Sequence, residues 1–366
     1  MDSLTLQLQH YRQSSYQHIV QKMVNLALDA FIVTELPIIR WLTGFSGSSA
    51  RLLITREKVW LFTDFRYQEQ VRHEVTLAET VIVAEGFIAE LLLGNYPCGT
   101  TIALQAEHIT WQEANRLRDK VFHAQQVMPI EGFFNEFRII KQAVELDYMQ
   151  RAAALSEAAL EAVLPMISPN VTELDIAAEL SYQQKKRGAS GDSFSPIVAS
   201  GARAAMPHAT PTNAHFVQGE LILLDFGCMY EGYASDQTRT VALGKPSKQA
   251  STIYNIVRKA QQLGLERAQC GMKARKLDEV VRRFITKHGY GEQFGHALGH
   301  GIGLEVHEEP RISSRSETIL QEMMLFTIEP GIYLPNCCGV RIEDTVVMGT
   351  QGAMPLQQFS KELIVL

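Results

Sequence analysis

The sequence predicts a two-domain α/β protein: a small α/β domain over residues 1–132, then a larger α+β body over residues 137–366 that runs twice through one order of elements. Three observations carry this. The chain has 366 residues, more than one ordinary core of about 100–200 residues holds. Hydrophobic residues make up 46% and charged residues 20%, which is the profile of a globular chain rather than a disordered one. Near Ala143 the pattern changes from short alternating elements to long amphipathic helices followed by strands.

In the first domain a polar-faced helix is expected near Leu6–Leu28. The apolar run DAFIVTEL follows, then RLLIT and VWLFTDF, joined by the charged link Arg56–Lys58 that reads as a hairpin turn. GTTIALQ reads as a strand. TWQEANRLRDKV reads as a helix opened by a capping box, with Thr110 and Glu113 each satisfying a backbone N–H of the other. The body should begin with helices at Ala143–Met166 and Thr172–Lys186, with SFSPIVASG and LLDFGCMYEGYASDQTRT as strands behind them. The same order recurs with helices near Lys248–Gln269 and Lys273–His288 and glycine-rich strands to the C-terminus. Leu277, Val280, Val281, Phe284 and Ile285 keep the spacing of a one-sided helix. Two helix–helix–strand–strand units of about 100–110 residues imply an internal duplication, visible in element order rather than in letters.

Charge narrows the partners. A formal net charge of −6 without a block of like charges gives no basic footprint for nucleic acid or anionic lipid. The opening MDSLTLQLQHYRQSSYQHIV lacks the basic-then-apolar layout of a secretory signal, and no run of about 18 apolar residues occurs. A cytoplasmic protein is expected. The five cysteines are an odd number without a CxxC, and the vicinal pair Cys337 and Cys338 is badly placed to bridge itself, so all read as reduced thiols rather than a disulfide framework or metal site.

In LLDFGCMYEGYASDQTRT two acids flank an apolar, aromatic and glycine-bearing segment. A reversal at Tyr230–Glu231, eased by Gly232, would set Asp225 directly across from Asp236 with Cβ atoms about 5 Å apart. Like charges that close destabilise a hairpin unless something positive lies between them. FTIEPGIYLPNCCGVRIEDTVV repeats the arrangement, with Glu329 and Glu343 symmetric about a turn centred near Asn336. Four carboxylates in apolar settings carry about −4, which two divalent cations neutralise. FGHALGHGIGLEVHEEP adds His296, His300 and His307, and AAMPHATPT adds His208. The glycines between these histidines argue against a helix and against the zinc motif HExxH. Imidazole mixed with carboxylate oxygens suits Mn²⁺, Co²⁺, Fe²⁺ or Zn²⁺ rather than Ca²⁺ or Mg²⁺ alone.

LLDFGCMYEGYASDQTRT, HALGHGIGLEVHEEP, TIEPGIY and VRIEDTV resemble the successive metal-site motifs of the pita-bread metallopeptidases, the creatinase, prolidase and aminopeptidase P group. The resemblance is dense from about Phe137 onward. Before that it is looser and resembles the creatinase-type N-terminal domain. It implies a pita-bread catalytic domain of duplicated α+β units and a centre of two divalent ions, Mn²⁺ first, with Co²⁺, Zn²⁺ or Fe²⁺ as alternatives. Asp225 would serve one ion and His300 with Glu329 the other, while Asp236 and Glu343 bridge both. The resemblance also implies that His208, His296 and His307 hold substrate and steer protons, that Arg341 sits beside the bridging glutamate, and that Glu329 takes a proton from water and returns it to the leaving nitrogen. Substrates would be small peptides with proline in second position, and the assembly a homodimer or homotetramer.

Within the family, the N-terminal domain argues against methionine aminopeptidase, and the complete ligand set argues against creatinase, which dispenses with metal. Cleavage of an Xaa–Pro bond remains. WLTGFSGSSARLLI resembles the aminopeptidase P branch and lacks the His- and Arg-bearing insertion with which some prolidases hold a dipeptide carboxylate. The expectation is therefore an aminopeptidase P acting on longer peptides, with an Xaa–Pro dipeptidase as the alternative, in which Arg341 could grip the dipeptide's carboxylate. A metal-free peptide-binding relative and a hydrolase of non-peptide amides are remote alternatives.

Overall fold

Short runs of β-branched, aliphatic and aromatic residues build the sheet of the N-terminal part, as such residues suit a buried pleated surface. The computed structural model describes residues 3–366. They fall into two units, Met1–Phe137 and Arg138–Leu366. The first unit runs α1 (Ser3–Asn25), β1 (Ala30–Val33), α2 (Leu36–Thr43), β2 (Arg51–Thr55), β3 (Val59–Thr63), α3 (Gln68–Glu74), β4 (Glu79–Ile82), α4 (Phe87–Leu92), β5 (Thr101–Gln105), α5 (Trp111–Arg116), β6 (Gln126–Ile130) and α6 (Asn135–Arg138). Its six strands lie in the order β4-β3-β2-β1-β5-β6. β2 alone runs against its neighbours, making the expected hairpin with β3 across Arg56–Lys58.

Three local elements differ from their expected form. The first helix ends at Asn25 because Ala27 takes the left-handed conformation with φ 54°. A second helix, α2, fills the gap after β1: Pro37 lies in its first turn, and Gly44, at φ 90°, closes it by donating to the Arg40 carbonyl. The capping box at Thr110 is half formed. Thr110 Oγ1 accepts from Glu113 N at 3.1 Å, but the Glu113 carboxylate turns instead to Arg51, at 2.8 and 3.1 Å.

The second unit opens with α7 (Ala143–Val163) and α8 (Glu173–Lys186), then β7 (Gly191–Asp192), β8 (Ile197–Ser200), β9 (Leu221–Phe226), β10 (Cys228–Tyr230), β11 (Tyr233–Ala234) and β12 (Gln237–Ala242). A true capping box starts α8, with Thr172 and Asp175 exchanging bonds at 2.9 and 3.2 Å. The pattern then repeats: α9 (Lys248–Arg267), α10 (Ala274–Lys287), β13 (Gly299–Gly301), β14 (Glu308–Ile312), β15 (Leu325–Ile328), β16 (Gly331–Leu334), β17 (Cys338–Arg341), β18 (Asp344–Gly349) and β19 (Gly352–Pro355). Leu277, Val281 and Ile285 of α10 are fully buried with Phe326, Ile328 and Val346 of the sheet. Each such side chain contributes about 1.5–3 kcal/mol through burial. Leu160, Ile176 and Leu180 of the first helix pair pack in the same way on Leu224, Phe226 and Val241. Among the described residues no helix is long and apolar enough to cross a membrane.

The two acidic hairpins differ in register. β15–β18 and β16–β17 share one continuous register across a break, and that register sets Glu329 opposite Glu343. In the other hairpin the chain reverses at Glu231–Gly232, one residue later than expected, with φ 48° and 83° at the two turn positions. Asp225 therefore faces Thr238, not Asp236. The partner moves by two residues, and because side chains alternate faces along a strand, both acids stay on one face as diagonal neighbours.

Candidate metal centre

The expected site residues all lie in the second unit, and four of the five expected metal-binding side chains sit near a strand end or at a break between strands, where the backbone ladder stops and the side chain can turn inward. Asp225 sits near the end of β9 and Asp236 just before β12. His300 is central in β13, Glu329 follows β15 and Glu343 precedes β18. The breaks are tied together by backbone bonds, Glu329 N to Leu298 O at 2.9 Å and Glu343 N to Thr238 O at 3.1 Å. The second of these ties links the two acidic hairpins.

Asp236, His300 and Glu343 converge, with one donor atom of each lying within 4.8 Å of the others. Two ligands of a single ion at about 2.1 Å each can lie no more than about 4.2 Å apart, so this set is close to what one cation requires. Glu329 joins the same imidazole: His300 Nε2 is 3.4 Å from Glu329 Oε1 and 3.6 Å from Asp236 Oδ2. His300 Nδ1 lies 3.1 Å from Gly301 O, which leaves Nε2 aimed at the acids. The glycines around it serve close approach. A Cβ on Gly299 would stand 1.9 Å from Thr327 O, and one on Gly301 2.2 Å from Glu309 O. Asp225 is held slightly apart, with Oδ2 accepting from Arg341 Nη2. Its Oδ1 is buried with no hydrogen-bond partner.

The electrostatics of this cluster are those of crowded anions. Burial, then the Asp225 and Glu329 carboxylates, push Asp236 well above the usual carboxylate range. Burial, partly offset by Arg341, raises Glu329 to about 8. Burial, then Asp236 and Glu329, push Glu343 well up too. Burial lowers His300 to about 4, with His307 adding to the effect, and so favours the neutral imidazole that ligates metal. An orphaned carboxylate oxygen, several carboxylates that resist ionising together and a neutral imidazole facing them are what divalent cations would resolve. The residues fit such ions.

A ring of supporting groups orients these side chains. Thr238 Oγ1 donates to Glu343 Oε2 at 2.6 Å and accepts from Arg341 Nε at 3.1 Å. Thr327 Oγ1 donates to Glu329 Oε1 at 3.2 Å. Arg341, expected on sequence beside the glutamate and as a grip for substrate, is only 3% exposed. It is engaged inward by Asp225, Thr238 and the Tyr333 hydroxyl at 2.7 Å. Tyr333 also meets His296 Nε2 at 3.0 Å, and burial lifts its phenol to about 12, so it stays a neutral link between arginine and histidine. Burial, then Arg341, lower His296 to about 4.

His307 and His208 are exposed at the cluster's edge. The His307 ring lies 4.3 Å from the His300 ring. Its loop is anchored by the neighbouring Glu308, which Lys141 holds at 2.9 Å and Arg138 also pairs. The loop bearing His208 is fastened by Glu173, wholly buried, whose carboxylate accepts from Ser200 N, Arg203 Nε, Thr212 N and Thr212 Oγ1 at 2.9–3.1 Å. Sequence reading missed Thr238, Thr327, Tyr333 and Glu173. Tyr333 had a visible signal, since alternation along β16 gives it the same facing as Gly331, the partner of Arg341.

Residues 147–350 match the model of metallopeptidase family M24 and residues 16–140 match the creatinase/prolidase N-terminal domain. A Xaa-Pro dipeptidase from Pyrococcus horikoshii is 34% identical over 352 residues, covering 94% of this chain and 97% of its own. The solved structure of a Xaa-Pro dipeptidase from Bacillus anthracis superposes with a TM-score of 0.93 at 35% identity, covering 97% of this chain and all of that one. An X-Pro aminopeptidase from Thermotoga maritima superposes at 0.86 with 37% identity, covering 93% of this chain and 98% of the other.

Proposed function

This chain belongs to metallopeptidase family M24, with a creatinase/prolidase domain ahead of a pita-bread catalytic domain, and from that premise we propose that it is a Xaa–Pro dipeptidase working with two divalent cations. The observation that carries the reading is end-to-end similarity to proteins named Xaa-Pro dipeptidase. It favours the second of the two activities weighed on sequence over the first. The aminopeptidase reading keeps one specific support, the likeness to the Thermotoga maritima enzyme.

In this reading Asp225, Asp236, His300, Glu329 and Glu343 would hold the ions. Bound there, divalent cations supply Lewis acidity, lowering the pKa of water and polarising the scissile carbonyl. Mixed oxygen and imidazole donors suit Mn²⁺, with Co²⁺, Fe²⁺ or Zn²⁺ as substitutes. Glu329, whose carboxyl sits among other acids and is easily protonated, takes the proton of the attacking water and returns it to the leaving nitrogen. His307 and His208, exposed at the edge, would meet the substrate carbonyl and its flanking groups. His296 holds its orientation through Tyr333. Arg341 is a positioning residue that fixes Asp225. The reading includes a homodimer or homotetramer, which sedimentation velocity measures.

The test is hydrolysis by protein stripped of metal and reloaded with Mn²⁺, comparing a Xaa–Pro dipeptide with the matching Xaa–Pro–Yaa tripeptide. A higher kcat/KM on the dipeptide is expected. Preference for the tripeptide would return the reading to aminopeptidase P, and no hydrolysis of either would end it.

A further inference from the structure

The second unit carries a dithiol that the hydrolysis does not use. Cys337 and Cys338 close the tight turn between β16 and β17, in which Cys337 N donates to Leu334 O at 3.0 Å and Asn336 takes φ 59°. Adjacent residues of a regular strand point to opposite faces. Here Cys337 belongs to the turn and Cys338 is the first residue of β17, and the two sulfurs come within 3.5 Å of each other. Cys337 is half-buried next to the exposed Pro335 and Asn336. Cys338 is 4% exposed and packs in the core with Val340 and Ile342.

We propose that Cys337 and Cys338 form a modification site: hydroperoxides convert this dithiol to a vicinal disulfide, and the new bond turns the peptidase down through the β16–β17 hairpin. In the first step the Cys337 thiolate, the more accessible, attacks one peroxide oxygen. The O–O bond breaks, alcohol (or water, from hydrogen peroxide) leaves, and Cys337 becomes a sulfenic acid. In the second, the Cys338 sulfur attacks the Cys337 sulfur; the S–S bond forms, the S–O bond breaks, and hydroxide leaves with the Cys338 proton as water. Two thiols and one hydroperoxide give one disulfide, one alcohol and one water, and the peroxide accepts both electrons.

The hairpin can carry the effect because it has little room. Closing the sulfurs from 3.5 Å to a covalent bond must move the turn, the start of β17, or both. One residue on, a Cβ at Gly339 would stand 1.8 Å from Ala204 O, so this backbone presses directly on the short helical turn Gly201–Ala205 that leads to His208. Gly339 pairs with Tyr333, and the strand ends at Arg341. Tyr333 and Arg341 are the two side chains that hold His296 and Asp225. Close-packed interiors transmit such shifts, and a misplacement of about 1 Å can cost about a hundredfold in rate.

The test uses full-length protein loaded with Mn²⁺ and treated with hydrogen peroxide. The unreduced peptide containing both cysteines should lose the mass of two hydrogens, kcat should fall about tenfold or more, and dithiothreitol should restore both. Cys337→Ser and Cys338→Ala should keep normal turnover and resist the peroxide. Cys337→Ser lies in the turn and keeps the test alive if the buried Cys338→Ala fails to fold. The turnover arm rests on the Xaa–Pro reading, but the mass arm and a calorimetric Mn²⁺ titration of the oxidised protein, expected to show weaker binding, do not. Absence of the disulfide overturns the site. Equal loss of activity in Cys337→Ser overturns its role, as does a disulfide that leaves both turnover and Mn²⁺ binding unchanged.

Discussion

Replacing Thr238 by valine removes one hydroxyl and almost nothing else. The side chain is fully buried, and valine has nearly its shape, so no cavity opens. The hydroxyl donates to Glu343 Oε2 at 2.6 Å and accepts from Arg341 Nε at 3.1 Å. A hydrogen bond to a charged group contributes about 1.5–3 kcal/mol. Arg341 keeps Asp225, Tyr333 and the Pro207 carbonyl, whereas Glu343 loses the hydroxyl that aims its carboxylate. If the donated bond acts mainly on the metal-bound form, that energy corresponds to about one to two powers of ten in metal affinity, which agrees with the about 10–100-fold effect of removing a group that orients a ligand. Calorimetric titration of stripped protein with Mn²⁺ measures this directly. Thr238→Ser restores the hydroxyl and should recover most of the affinity. Thr238→Val with wild-type affinity would refute the claim that this hydroxyl orients a metal-binding carboxylate.

Three further outcomes are expected. Glu329→Gln keeps the shape but cannot carry a proton as a carboxylate does, so kcat should fall by about 10²–10⁴; near-normal turnover with metal bound would contradict its role. Arg239 is buried against Asp344 at 2.7 Å and also bonds the Thr238, Glu343 and Phe359 carbonyls, so Arg239→Met should lower stability by about 3–5 kcal/mol in urea unfolding; a change under about 1 kcal/mol would mean the pair is dispensable. The third concerns pH. In stripped protein the raised carboxyls make the folded state bind more protons than the unfolded chain, so the stability Glu329 contributes is complete below its ordinary 4.5 and is lost as pH rises through about 8. His296 and His300, lowered from 6.5 to about 4, act oppositely, and their contribution is lost as pH falls through about 4. Above 6.5 the two lowered histidines are largely neutral folded or unfolded while Glu329 is still losing its folded-state proton, so the Tm of stripped protein should fall from there to about pH 8 and saturating Mn²⁺ should abolish the fall; a flat or rising Tm in the stripped protein would count against the crowded-acid description.

How much of this was legible in the sequence depended on the turns. Glu329 and Glu343 could be paired because Pro335 and Asn336 mark the centre of their hairpin, and the register runs unbroken on both sides of the break. A reversal at Tyr230–Glu231 would align Asp225 with Asp236, whereas the observed register sets Asp225 opposite Thr238. A two-residue hairpin turn of type I′ needs positive φ at both positions, which Glu231 and Gly232 supply. The face survived the error because a two-residue slip preserves side-chain direction. The helices of the second unit were readable from their apolar spacing, whereas α2, α3 and α4, with 8, 7 and 6 residues, span about two turns each, too few repeats for the spacing to stand out. The inward commitment of Arg341 could not be read at all. It depends on Asp225, Thr238 and Tyr333, drawn from three separate strands, meeting at one guanidinium, and no local pattern encodes such a meeting.

The central claim is that Asp225, Asp236, His300, Glu329 and Glu343 jointly hold divalent cations. Anomalous scattering from crystals of stripped protein soaked in Mn²⁺ tests it most directly. The account predicts two manganese peaks among these side chains, with the orphaned Asp225 oxygen and His300 Nε2 each at coordinating distance from one of them. Crystals that diffract well and show no manganese peak between these groups, with the imidazole and carboxylates turned away from one another, would contradict it.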